Sequence, residues 1–511
     1  MVLLQLNYLP LLLAISVICA TSKATATILP DQVLFSIDIQ QRYVALASHL
    51  GPILSQGASI YLEGTPQFKE QTARWQLFAP PQFHIAVEVV AERDVQYTVL
   101  LANSFGLPWL AVSGRHGSTS TLHKLEHGIQ ISLSKLNNIT MNIDGQTANF
   151  GGGVLSKNVV DTLWSWGKQT VTGQCECTSL AGPLLGGGHG LLQGRYGLMI
   201  DQLVEARVVL ADGSLVTASN EENPDLFWAL RGAGHNFGIV TQVKFKVYDV
   251  PKDNQWVVAI LTFTEDKLEK IIELANDIKD GLQPVELINM IWVLRIPGTE
   301  KPVINVQIIY EGSLAESQKY INQYNALNPT DSAILQNVDY PQISSLTNSG
   351  EETIACAHSV YRARLFPTSF RSYHIPTIRK LFDKFSEISA QPGLNNSFYL
   401  LEAYSVKGVQ NVDPESTAFP DRFNVFLTAP VLVYFDADLD EQAVKSGQEI
   451  REIALEGVED GLQSSYVNYA QGDETLEDWY GHETWRTDKL RALKEKYDPH
   501  NRFAFYAPII Q

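Results

Sequence analysis

Within Asp225–Val240, DLFWALRGAGHNFGIV, the piece Arg231-Gly232-Ala233-Gly234-His235-Asn236-Phe237-Gly238 is one of three glycine-rich pieces in the chain. The other two are Ser113-Gly114-Arg115-His116-Gly117 and Gly186-Gly187-Gly188-His189-Gly190. Glycines let the backbone turn its N–H groups inward, making a concavity that a pyrophosphate can approach closely. Any one piece alone reads equally well as a tight turn. Neither of the first two fits G-x-G-x-x-G at the start of a long helix, and no G-x-x-x-x-G-K-[ST] occurs, which disfavours a nicotinamide Rossmann site and a P-loop.

Outward from these pieces, the periodicity predicts a strand at 85–91 and a helix from Glu92 with Val95, Val99 and Leu100 on one face, stopped by Gly106. Strands follow at 109–113 and 129–133, then a helix from Ser156 carrying Val159, Val160, Leu163 and Trp164. Leu203–Leu210 and Leu215–Ser219 flank Ala211-Asp212-Gly213-Ser214, a hairpin signal. Val243, Phe245 and Val247 alternate with lysines as a half-buried strand. Near Pro251 the character changes to strands at 256–263, 287–296 and 303–310, interleaved with helices at 265–278 and 314–327. The expectation is an α+β fold with a signal segment at 1–26, a first domain at 27–250, an antiparallel-sheet domain covered by helices at 251–463, and a segment at 464–511. That last segment is too short to fold alone and packs back on the first domain.

The 511 residues, 45% hydrophobic and 18% charged, are those of a folded globular protein and exclude a disordered or collagenous chain. A net charge of −18 makes nucleic acid and anionic membranes unfavourable partners. Four cysteines, Cys19, Cys175, Cys177 and Cys356, are too few for a disulfide-built scaffold. Leu9–Ala20 is apolar and is followed by Ala24-Thr25-Ala26, small residues suited to a signal peptidase, so cleavage after Ala26 and secretion are expected. The apolar stretch is shorter than the roughly 20 residues that cross a bilayer. Sequons at Asn138 and Asn395 suit a glycoprotein.

Taken together, the first loop, Gln174–Gly190 and Asp225–Val240 resemble, in order and spacing, the flavin domain of berberine bridge enzyme-like oxidoreductases. That family belongs to the vanillyl-alcohol oxidase/p-cresol methylhydroxylase flavoprotein superfamily. The resemblance continues through Ala206–Ser219 and resumes at Tyr466-Val467-Asn468-Tyr469, Tyr480-Gly481 and Tyr497-Asp498-Pro499; Leu180–Leu198 looks fungal. It implies a bipartite FAD-binding domain of the p-cresol methylhydroxylase type and FAD as cofactor. The implied cofactor-binding residues are Ser113, Gly114, Arg115, Gly117, Gly186, Gly187, Gly188, Gly238, Ile239, Val240 and Asn468. The family's loop histidine, bonded to the flavin 8α-methyl, corresponds to His116. The usual Gly-Gly-His reads Gly114-Arg115-His116 here, so a local difference in the turn is expected. A second link in many members comes from a cysteine eleven residues before the Gly-Gly-Gly run, which is Cys175. An ordinary core cysteine at 175, or a link or disulfide at Cys177, stays open as an alternative. In the family, covalent attachment raises the flavin potential and prevents cofactor loss. Zinc held by Cys175, Cys177, His189 and His235 is disfavoured, because the spacing fits no zinc pattern.

The resemblance implies a monomeric FAD oxidase that takes hydride from a small organic substrate onto flavin N5, with dioxygen as acceptor and no metal. Catalytic candidates are Tyr466 and Tyr469, since the family places such a tyrosine over the flavin and a phenolate can serve as base if its pKa is lowered. In an extended segment the two should point apart, leaving one over the ring. Oxidation of a natural product is the favoured reading, oxidation of an oligosaccharide C1 hydroxyl the alternative, and a non-catalytic flavin-binding protein a remote third.

Overall fold

The computed structural model describes residues 39–281, 283–423 and 426–509. The expected signal segment at 1–26 lies outside them. No helix among the described residues is long and apolar enough to cross a membrane.

The first sheet runs in the order Ser59–Leu62, Phe83–Glu88, Gly128–Ser132, Trp109–Val112, and its last three strands are parallel. Helix Glu92–Ser104 makes the crossover and buries Val95, Val99 and Ala102. Leu100, expected on that face, is 42% exposed; the i, i+4, i+7 stripe continues through Ala102, about 100° per residue away from it. The carboxyl end of the edge strand Trp109–Val112 leads directly into Ser113–Gly117, the end of parallel strands where ligands of open α/β sheets bind.

A five-stranded antiparallel sheet follows, in the order Ile139–Met141, Thr147–Gly151, Ile239–Lys246, Leu203–Val209, Leu215–Ser219. Helix Pro224–Ala233 packs on it through Leu226, Phe227, Ala229 and Leu230, all buried. The helix breaks at Gly232, where φ is +132° and a Cβ would stand 2.3 Å from Phe419 N. Only glycine accepts that backbone form together with so close an approach. The break turns the chain through His235 and Asn236 into the central strand, Ile239–Lys246.

The third sheet is antiparallel throughout, in the order Asp331–Val338, Trp256–Phe263, Val303–Glu311, Leu287–Leu294, Phe398–Ala403, Phe426–Tyr434, Arg362–Leu365, with Thr368–Phe370 also on Phe426–Tyr434. Helices Leu268–Asp280, Ile375–Ser389 and Asp440–Leu455 cover one face through a core that includes Ile271, Leu381, Phe385 and Ile450. The opposite face, with Val258, Ile288, Met290, Ile309 and Leu427, joins the core of the five-stranded sheet.

The C-terminal segment returns to the first part of the chain. Asn236 is fully buried; its amide donates to Tyr480 Oη (3.0 Å) and Ala507 O (3.2 Å) and accepts from Ile509 N (2.9 Å). Lys494 Nζ, also buried, bonds Asp498 (2.7 Å), Asn236 O (3.1 Å) and Phe503 O (2.9 Å). A buried ion pair satisfied on all sides in this way holds register, and truncating one partner is strongly destabilising.

Candidate active site

Gly114 lies flat against a neighbouring loop: a Cβ there would come 2.8 Å from Ser179 N and 3.0 Å from Cys177 O. Arg115 takes φ +60°, a left-handed form that costs a non-glycine residue roughly 1–2 kcal/mol. Its guanidinium donates to Glu70 O (2.7 Å) and Gln71 O (3.0 Å) and so ties the turn down. The turn therefore keeps a backbone form that glycine takes freely. Gly114→Ala is expected to separate the two loops and to destabilise the fold by about 1–3 kcal/mol. A melting temperature equal to the wild type would contradict this.

His116 is stacked by Trp75 at 5.6 Å between centroids and met edge-on by His358. Burial, and after it the charges of His358, Arg74 and Arg115, push its pKa down to about 3, so the ring is neutral at physiological pH. Cys175 faces it: a nitrogen of His116 and the sulfurs of Cys175 and Cys177 all lie within 4.8 Å of one another. Cys175 is a free thiol, pushed up to about 11 by burial, while Cys177 is bonded to Cys356. That answers the open question at Cys177. It also leaves the cluster with two metal-capable groups, short of the three or four protein ligands of a zinc site.

The Gly186–Gly190 loop meets the C-terminal segment. A Cβ on Gly186 would overlap Asn468, 2.2 Å from its Oδ1. Gly188 N (3.1 Å), His189 N (3.3 Å) and Asn468 Nδ2 (2.7 Å) all donate to Tyr466 Oη. The Gly188 N–H thus points at a phenol. Burial pushes Tyr466 up to about 12 in spite of these donors. Val467–Tyr469 is a 3₁₀ turn, in which residues three apart eclipse. Tyr466 and Tyr469 accordingly touch, 5.1 Å between centroids, which corrects the expectation that they point apart. Tyr466→Phe strands three N–H donors, and an unsatisfied buried donor costs about 1–3 kcal/mol. A drop in thermal stability of at least that size is the expected result, read by calorimetry.

Over this cluster stands one row of the antiparallel sheet. Register places Ile260, Gln307, Met290, Glu402 and Leu427 side by side on five adjacent strands. Glu402 is 7% exposed and meets no Lys, Arg or His partner among the described residues. Tyr469 Oη donates to it at 3.3 Å. Burial pushes the carboxyl up to about 7 against the lowering effect of that bond. His189, 4.8 Å from the Tyr466 ring, and Tyr404 complete the wall. Glu402 escaped the sequence reading, although a single acid inside the apolar run Phe398–Ala403 is a usable signal.

Of the other sequence candidates, Ser113 and Gly117 share the His116 loop, with Arg74 Nη2 donating to Gly117 O (2.8 Å). Gly238 packs on Val208, and Ile239 and Val240 are buried strand residues paired with Val209 and Val208. The buried atoms Ser113 Oγ, His116 Nε2, His189 Nε2, His235 Nδ1 and Arg74 Nη1 have no hydrogen-bond partner among the described residues. Buried polar groups are nearly always paired. Their gathering along the glycine-rich pieces fits an extended polar ligand such as FAD.

The comparisons agree with this architecture. Residues 83–219 match the FAD binding domain family and residues 465–510 the berberine and berberine-like family. An FAD-linked oxidoreductase of Penicillium rubens, chyH, is 40% identical over 463 residues, covering 89% of this chain and 92% of that protein. The chain belongs to the FAD-linked oxidoreductases, with an FAD binding domain and a berberine-like C-terminal segment. Among solved structures, Physcomitrella patens BBE-like 1 superposes with a TM-score of 0.79 at 21% identity, covering 93% of this chain and all of that one. A glucooligosaccharide oxidase from Acremonium strictum, described as carrying 6-S-cysteinyl, 8α-N1-histidyl FAD, superposes at 0.76 and 20% identity, covering 92% and 98%. These two show likeness of fold.

Proposed function

We propose that the protein is a secreted oxidase that carries FAD on His116 and Cys175 and oxidises a small, largely apolar organic substrate, with Glu402 as base. The observation that carries this reading is the buried Glu402 carboxyl, hydrogen-bonded by Tyr469 with its pKa at about 7, which matches a general base to neutral pH. FAD, held by the Ser113–Gly117 and Gly186–Gly190 loops, would supply a two-electron acceptor for the substrate's hydride, with dioxygen as the terminal acceptor. Glu402 takes the proton of the substrate hydroxyl or phenol. Tyr469 orients the carboxylate, and Tyr466, held by three N–H donors, orients the Gly186–Gly190 loop. The neutral His116 ring, whose Nε2 has no partner among the described residues, and the Cys175 thiol within 4.8 Å of it support attachment of both to one ring system. The relative with 6-S-cysteinyl, 8α-N1-histidyl FAD supports both links.

For the substrate, the sheet face around Glu402 carries Ile260, Met290, Trp292, Leu400 and Leu427, with the polar side chains of Gln307, Asn305 and Thr262 grouped at one side and bonded to one another. Oligosaccharide recognition needs many hydrogen-bond partners. This face favours an aromatic or polyketide-like natural product. The exposed side chains of Asn138 and Asn395 suit glycosylation in a secretory pathway. A substrate panel of phenols, amines and oligosaccharides, read by hydrogen peroxide release, tests the assignment: turnover of oligosaccharides alone would overturn it.

A further inference from the structure

Three sulfurs meet beside His116. Cys175 Sγ lies 3.4 Å from Cys177 Sγ and 3.9 Å from Cys356 Sγ, and the latter two are joined. Cys356 comes from a segment far away in sequence, at a separation of 179 residues. That segment is held against the Cys175 loop by contacts independent of the disulfide. Glu176 N donates to Ser349 O (3.0 Å), Glu351 N to Glu176 Oε2 (2.9 Å), Ser344 Oγ to Gln174 O (2.8 Å) and Gln174 Nε2 to Thr347 Oγ1 (2.8 Å). Each of the three sulfurs therefore lies within 3.9 Å of the other two.

We propose that Cys356 is a positioning residue for flavin attachment: by engaging Cys177 it removes the competing thiol and leaves Cys175 as the single thiol facing His116. The competing arrangement is a redox-neutral exchange. Cys175 gives its proton to solvent and its thiolate attacks Cys356 Sγ; the Cys175–Cys356 bond forms, the Cys177–Cys356 bond breaks, and Cys177 leaves as a thiolate that takes up a proton. No oxidant is consumed. Exchange proceeds through the thiolate, and burial of Cys175 keeps it protonated, so the Cys177–Cys356 pairing persists near neutral pH.

The test uses Cys177→Ser, Cys356→Ser and the double variant Cys177→Ser/Cys356→Ser, each incubated with oxidised glutathione. In the single variants two thiols remain in contact; they lose two electrons and two protons to the glutathione disulfide, which becomes two glutathione thiols. Denaturing alkylation and peptide mass mapping read the result. In Cys177→Ser, Cys175 is expected in a disulfide with Cys356, and its alkylation falls by at least about tenfold. In the double variant Cys175 is expected to regain its reactivity, which a loss of structural support alone would not produce. Cys175 remaining free in both single variants overturns the proposal. If the single variants do not accumulate, wild-type protein from a riboflavin-starved host is held at about pH 9, where the thiolate fraction rises. A Cys175–Cys356 peptide is then expected, and persistence of Cys177–Cys356 alone overturns the proposal. A flavin-mapping arm rests on the covalent attachment proposed above: single variants keep flavin on His116 alone, and the double variant on both residues. Failure of the attachment reading shows as a wild type with no flavin on Cys175, while the disulfide arm still reads the sulfur pairing.

Discussion

Glu402→Gln is expected to lower the rate of substrate oxidation by about 10²–10⁴-fold, the usual contribution of a positioned general base, with flavin content and fold retained. The measurement is anaerobic stopped flow on the identified substrate. A Glu402→Gln enzyme that keeps the wild-type rate removes Glu402 from the mechanism. In the wild type, kcat/KM should rise with pH and level off above about 7 as the carboxyl ionises, and the glutamine variant should lack that limb. Tyr469→Phe removes the bond that favours the ionised form, so its limb should move to higher pH. Stability runs the opposite way. The folded pKa lies above the ordinary value of 4.5, so the unfolded chain ionises first, and the contribution is complete below 4.5 and lost as pH rises to about 7. At one pKa unit per 1.36 kcal/mol, the loss is about 3 kcal/mol. Glu402→Gln should therefore melt higher than the wild type at pH 8, by the part of that loss it escapes. The carboxyl destabilises the fold in its working form, as active-site groups commonly do.

Flavin retention after acid precipitation is expected to be all-or-none across a second set of variants. Wild type leaves a yellow pellet. His116→Ala and Cys175→Ala each keep a coloured pellet through the remaining bond, with shifted spectra. The double variant releases all of its flavin to the supernatant. The reasons are the neutral His116 ring with a free buried nitrogen and the free Cys175 thiol within 4.8 Å of it. A colourless wild-type pellet rules out covalent attachment; a colourless pellet from His116→Ala alone leaves Cys175 an unattached core thiol.

Several elements were readable because their signals are local. Helix Ser156–Ser165, the hairpin at 203–219 and the strands at 256–263 and 303–311 stand within a residue or two of where periodicity and turn residues put them. Strands Phe398–Ala403 and Phe426–Tyr434 were not readable. Both are interior strands of the sheet, Phe426–Tyr434 buried at every position and Phe398–Ala403 at all but the half-buried Phe398 and Leu400, and a strand covered on both faces shows an apolar run in place of alternation. With those strands went the row of the sheet that carries Glu402. The Tyr466–Tyr469 geometry was misread because three residues of 3₁₀ turn reverse the outcome of an extended chain, and their composition does not distinguish the two.

The cofactor class was legible in the sequence through the resemblance of its glycine pieces and their neighbours to a flavin domain, because glycines at 114, 186–188 and 232 act through the backbone of a few neighbours, and order along the chain preserves that pattern. Which carboxylate faces those loops and which thiol stays free were decided only by the tertiary structure. Glu402 owes its pKa to desolvation beneath tyrosines from the C-terminal segment, and Cys177 finds Cys356 across 179 residues. Burial and through-space distance are set by how sheets pack, and a linear spacing carries neither.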